Sequence, residues 1–176
     1  MWGTGRYRRS NVCLAYTPLA SLASKSQWRF FSDRFWLATD PSRYWTGDEK
    51  SAAGLLANPQ DPKFGSPELG ELSVAWVSEL KTWLMLHGDA QGIVFRTAPA
   101  PWGPWTGPRI LFQPGVDASP NVPFGLSGPF AYAPYIIPRH PQVNPGSGRA
   151  TIYYTLSSTD PNYQSNLARV VLKRVI

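Results

Sequence analysis

Short runs rich in apolar, aromatic and β-branched residues recur along this chain, and Gly, Pro, Asn or Asp bound most of them. Runs of that length and make-up predict strands. They fall at Asn11–Leu19, Trp28–Phe31, Glu71–Val77, Thr82–His87, Gly92–Ala98, Arg109–Phe112, Ala131–Ile137, Ala150–Ser157 and Asn166–Val175. Within Thr82–His87, two-residue alternation puts Trp83, Met85 and His87 on one face, and Leu84 and Leu86 on the other. Both faces are mostly apolar, the pattern of a sheet held between neighbouring sheets. The expected fold class is all-β.

The runs also repeat. NVCLAYTPL followed by WRFF returns 81 residues later as IVFRTAPAP followed by RILF, aligning Val12 with Ile93, Arg29 with Ile110 and Phe31 with Phe112. A looser copy sets GELSVAW, TWLMLHG and GIVFRTA beside FAYAPYII, ATIYYTLS and LARVVLK. Fixed-period repetition marks a repeat architecture, and units of four antiparallel strands describe β-propeller blades. On this reading residues 1–32 supply the two outer strands of one blade, and 33–69 form an inter-blade insertion. Residues 70–113 make a complete blade, and 130–176 supply the first three strands of a last one. A propeller needs at least four blades to close. The abrupt start at Met1-Trp2, directly before an outer strand, favours a fragment. The alternative is self-association through open sheet edges.

Composition narrows the picture. With 43% hydrophobic and 16% charged residues among 176, the chain is not disordered and fits one domain. Its 18 Pro and 15 Gly leave little room for long helices. Trp, Tyr and Phe number eight each, a load that favours strands and suits stacking on sugars or bases. The net charge of +6 includes Arg6, Arg8 and Arg9 beside Tyr7, and Lys173 and Arg174 near the end. That raises nucleic acid as a partner, but no RNA-binding signature is present, and a solvated surface with an Arg excess is the simpler reading. Cys13, the one cysteine, lies in an apolar strand pattern and reads as a core residue. His87 and His140 stand far apart with no Cys/His ligand spacing, which argues against a structural zinc site; no metal-ligand residues and no cofactor are assigned, and calcium is left open. No apolar stretch is long enough to span a membrane, and the first twenty residues lack the order of a signal peptide.

The runs GTGRYRRSNVCLAYTPL, WRFF, GELSVAW, RTAPAPWGPWTGP, YAPYIIPR and ATIYYTLSS, in this order, resemble the C-terminal half of a propeller family known as domain of unknown function 4185. The resemblance covers nearly all of the chain. It implies a partial five-bladed β-propeller of about two and a quarter blades. It also implies kinship with endo-acting D-arabinan hydrolases, polysaccharide or oligosaccharide as partner, and an extracellular location.

Glycoside hydrolysis uses two carboxyl groups flanking the bond. Most acidic residues here sit in turn-like contexts, but Glu71 opens the innermost strand of the complete blade, after Gly70 and before an apolar run. The resemblance makes it the candidate catalytic residue; the other reading is a Glu held by an arginine at a strand end. The family's second carboxylate belongs to an N-terminal blade that this chain lacks. Substrate-binding candidates are Arg96, Tyr132, Tyr135, Arg139, Trp36 and Trp45. Arg96, on an otherwise apolar strand, must find a carboxylate or a ligand, and pairing with Glu71 would satisfy both. Ala133 stands where the family's Tyr-Gly-Pro-Tyr has Gly. Trp102 and Trp105 lie between stiffening prolines, Pro101 and Pro104, and are expected to pack structurally. The functions weighed are a glycoside-hydrolase-like protein acting on arabinan-type furanose polysaccharides, inactive as this isolated chain, and a non-catalytic carbohydrate-binding propeller fragment.

Overall fold

The computed structural model describes residues 1–5, 10–32, 41–56, 69–89, 92–114, 116–117, 131–137, 148–158 and 163–174. All nine predicted runs form strands, and two further short strands join them. A first sheet runs in chain order through β1 (Trp2–Thr4), β2 (Val12–Tyr16), β3 (Arg29–Phe31) and β4 (Trp45–Thr46). A second runs through β5 (Leu72–Val77), β6 (Thr82–Asp89), β7 (Gly92–Ala98) and β8 (Arg109–Phe112). A third holds β9 (Tyr132–Ile136), β10 (Arg149–Ser158) and β11 (Gln164–Lys173). Every pairing is antiparallel and between chain neighbours, so each sheet is an open meander.

The chain divides into two compact units, Met1–Leu69 with Pro101–Pro104, and Gly70–Ala100 with Trp105–Ile176. In the first, the Met1 ammonium donates to the Ala15 carbonyl (2.8 Å), continuing the β1–β2 ladder past Trp2. Aromatic rings build much of its core. Phe31 stacks on Trp102 (centroids 6.1 Å apart, planes at 10°) and meets Tyr44 and Trp45 edge-on. Trp2 adds an indole N–H bond to the Pro101 carbonyl (3.0 Å). The expectation of a packing role for Trp102 therefore holds. β4 was not expected; it exists because Trp45, opposite Phe31, packs its ring against that residue and against Tyr16.

The 81-residue repeat holds strand for strand but not in register. Shifted back, Ile93–Phe112 would become Val12–Phe31 and Val94–Ile110 would become Cys13–Arg29, whereas β2 and β3 pair Ala15 with Phe30 and Tyr16 with Arg29, an offset that changes across the irregularity between Ile93 and Val94.

In the second unit, two sheets stack face to face. Leu84, Leu86 and Ile93 from one meet Ile136, Ile152, Tyr154 and Leu156 from the other, all nearly free of solvent. Burial of each such side chain stabilises by about 1.5–3 kcal/mol relative to leaving it in water. A polar link crosses this core: the Ile136 amide donates to Ser73 Oγ (3.1 Å). The opposite face of β6 is buried as well, at Met85 and His87. That is the two-sided apolar pattern read from its alternation.

Two backbone positions are unusual in a telling way. Gly92 holds φ +135°, and a Cβ there would run into the Phe112 carbonyl and come within 2.8 Å of Pro114 Cδ, so only Gly fits. Ala133 holds φ 50° in β9, where the pairing with β10 shifts between Tyr132–Ser157 and Tyr135–Thr155. Two residues of β9 there oppose one of β10, a bulge that favours Gly at its left-handed position. An L-residue in that conformation costs about 1–2 kcal/mol, partly offset by the entropy Gly would lose on folding. Ala133→Gly is therefore expected to stabilise by about 0.5–1 kcal/mol. The melting midpoint should rise by ~1–4 °C in calorimetry; an unchanged or lower one would contradict strain at this site.

Candidate functional site

The polar side chains of interest in the second unit gather where β5 begins, β6 ends and β7 passes. Gly70 donates its amide to the Gly88 carbonyl (2.8 Å), and Gly88 donates to the carbonyl of Glu71 (3.3 Å). These bonds carry the β5–β6 ladder beyond Leu72 and fix half-buried Glu71 beside the end of β6. Glu71 thus sits at the entry of the first strand of its sheet, as expected.

Arg96, on β7, is cross-strand from Met85. Its Nε donates to His87 Nε2 (3.1 Å), and a terminal nitrogen donates to the Thr106 carbonyl (2.9 Å). The expected pairing with Glu71 is corrected here. β6 lies between their strands, a separation of about 10 Å at backbone level, and the guanidinium finds its acceptors on the nearer strand and the β7–β8 connection.

Because a guanidinium only donates, His87 Nε2 must be an acceptor and the ring proton sits on Nδ1, facing the Gly88 carbonyl at 3.1 Å. The His87 pKa is lowered to about 4, chiefly by burial and in smaller part by the charge of Arg96. The Gly88 carbonyl and the charge of Asp89 act in the opposite direction. Burial also lowers the pKa of Arg96, opposed by Asp89. The result is a neutral imidazole held against a cation, with a carboxylate nearby. Sequence reading passed over His87 as a metal ligand and did not foresee this role. The available signal was its place on an otherwise apolar strand face beside Met85, where a polar ring needs a partner.

Tyr132 lies opposite Ser157 and meets Tyr163 edge-on, 5.9 Å between centroids. Tyr135 is 61% exposed, and its chain neighbour Ile136 faces the core. Tyr135 therefore points away from β5 and β6, on the same uncovered face as Leu167 and Val171, which are 67% and 56% exposed. Ala133, between the tyrosines, occupies the position where the resembled motif has Gly, and its backbone has the conformation Gly favours. Trp45 belongs to the first unit, half-buried among Tyr16 (4.6 Å), Phe31 (5.7 Å) and Trp102 (6.4 Å). Trp36 and Arg139 lie outside the described residues. Among the described residues, no group of three or more His, Cys, Asp or Glu is placed to hold a metal ion.

Fold and site together define an all-β protein of antiparallel meanders, two of them stacked within the second unit, with ionisable residues at three neighbouring strands of one sheet. The chain belongs to the family described as Domain of unknown function (DUF4185), whose profile matches residues 1–169. A search of curated proteins finds no match to it.

Proposed function

We propose that this chain is a carbohydrate-binding part of a glycoside-hydrolase-like propeller directed at arabinan-type furanose polysaccharides outside the cell. The observation that carries this reading is the anchorage of Glu71. A half-buried Glu71 whose backbone is fixed at the mouth of the first strand of a four-stranded meander brings a carboxylate suited to hydrogen-bond a sugar ring. Tyr132 offers a flat partner for such a ring. The three meanders then belong to a five-bladed propeller, of which they are about two and a quarter blades. The open face of the third sheet, where Tyr135, Leu167 and Val171 stand exposed beside Arg169 and Lys173, supports this, because large exposed side chains of mixed character suit an association surface. A further sheet or a second copy of the chain would cover it.

Glycosidic cleavage needs a second carboxyl group across the bond. The isolated chain is therefore expected to bind arabino-oligosaccharides and to release no reducing ends from arabinan or chromogenic furanosides. Calorimetric titration separates binding from catalysis: affinity survives Glu71→Gln within about threefold and falls about tenfold in Tyr132→Ala. A folded chain with no affinity for any arabino-oligosaccharide would dismiss the reading.

A further inference from the structure

The first unit contains a cavity of about 310 Å³ lined by Leu22, Ala23, Lys25, Trp28, Phe30 and Glu49. Its size is that of the smaller ligand sites. Its wall is apolar and aromatic, and its polar groups stand at the rim. Lys25 Nζ meets Glu49 Oε2 at 2.6 Å, with side chains 79% and 60% exposed. Two short 3-10 turns present this pair, Lys25–Gln27 and Glu49–Ser51. Asp48 caps the second turn, accepting from the Lys50 amide (3.1 Å) and the Ser51 hydroxyl (2.7 Å). Trp28 is oriented by its indole N–H, which donates to the Leu22 carbonyl (3.2 Å). That bond uses the polar edge of the ring and leaves only its faces for a visitor.

We propose that this cavity is a saccharide site, separate from the Glu71 region, that takes one neutral sugar ring. The apolar C–H face of such a ring matches the indole and phenyl wall. Its hydroxyls match the rim, where Lys25 donates and Glu49 accepts. An ion pair this exposed holds the fold together only weakly, so hydroxyl groups can replace its mutual bond at little cost. A purely apolar ligand would leave the rim unmatched, and a charged one would meet an unlike and a like charge at once.

The test follows the Trp28 indole N–H resonance of the whole chain while arabinotriose and maltotriose are titrated. The expected result is a saturable shift with at least one of them. Affinity should fall about tenfold in Trp28→Ala, read there from the backbone amide of Ala23 on the cavity wall, and about threefold in the surface pair Lys25→Met/Glu49→Gln, and the Trp28 shift should keep its affinity in Glu71→Gln and Tyr132→Ala. The pair variant keeps the test decisive if Trp28→Ala does not fold. The site is overturned if neither sugar shifts Trp28, or if binding is lost in Tyr132→Ala and kept in the Trp28 and rim variants. That second outcome leaves the Glu71 reading standing.

Discussion

Asn11→Ala should lower stability by about 3 kcal/mol, since three buried bonds to one side chain disappear together. Asn11 is 5% exposed. Its Nδ2 donates to the Leu56 carbonyl (2.6 Å), and its Oδ1 accepts from the amides of Val12 (2.8 Å) and Leu56 (3.0 Å). Backbone bonds from Leu55 to Val12 and from Ala53 to Phe31 complete the seam, so residues 53–56 are laced to β2 and β3 without being a strand. Alanine removes the lacing and leaves buried amides and a carbonyl without partners, each costing about 1–3 kcal/mol before relaxation. Gly54 fits the same picture, because a Cβ there would strike the Asn11 side chain. Thermal unfolding followed by tryptophan fluorescence should show a midpoint lowered by roughly 6–12 °C. A loss within 2 °C would mean that water replaces the Asn11 bonds.

The second large effect is acid destabilisation through His87. Its folded pKa of about 4 lies below the ordinary 6.5, so the unfolded chain takes up a proton that the folded chain refuses. The sign follows. The contribution is complete above pH 6.5, declines as pH falls toward 4, and levels off below. At about 1.4 kcal/mol per pKa unit, the full span is about 3 kcal/mol. A proton on Nε2 would also set two donors against each other, since Arg96 already donates there. His87→Gln removes the titration. The difference in urea-unfolding free energy between wild type and variant should therefore shrink as pH drops from 7 to 4, while carboxylates common to both cancel. A difference independent of pH would show that His87 titrates normally.

The strands were legible because aromatic and β-branched runs bounded by turn residues leave the backbone few other options. What escaped were the shortest pieces. β1 and β4 have three and two residues, too few for any alternation to register, and depend on partners elsewhere in the chain. Register escaped too, since a repeat in sequence places strands while turns and bulges set their pairing. At the site, the position of Glu71 was readable from its place before an apolar run. The partner of Arg96 was not, because both carboxylate and imidazole would satisfy a buried guanidinium and only the cross-strand register decides between them. Ala133 is the opposite case. A departure from a Gly-containing motif pointed directly to a backbone conformation that alanine adopts only under strain.

The ring stack between Phe31 and Trp102 has a bearing on vectorial synthesis. The N-terminal unit lacks one wall of its aromatic core until the Pro101–Pro104 segment emerges, ~70 residues after Phe31. By then β5, β6 and β7 have already left the ribosome. Nascent chains halted shortly after Leu69 would leave Phe31, Tyr44 and Trp45 without the ring that packs on all three.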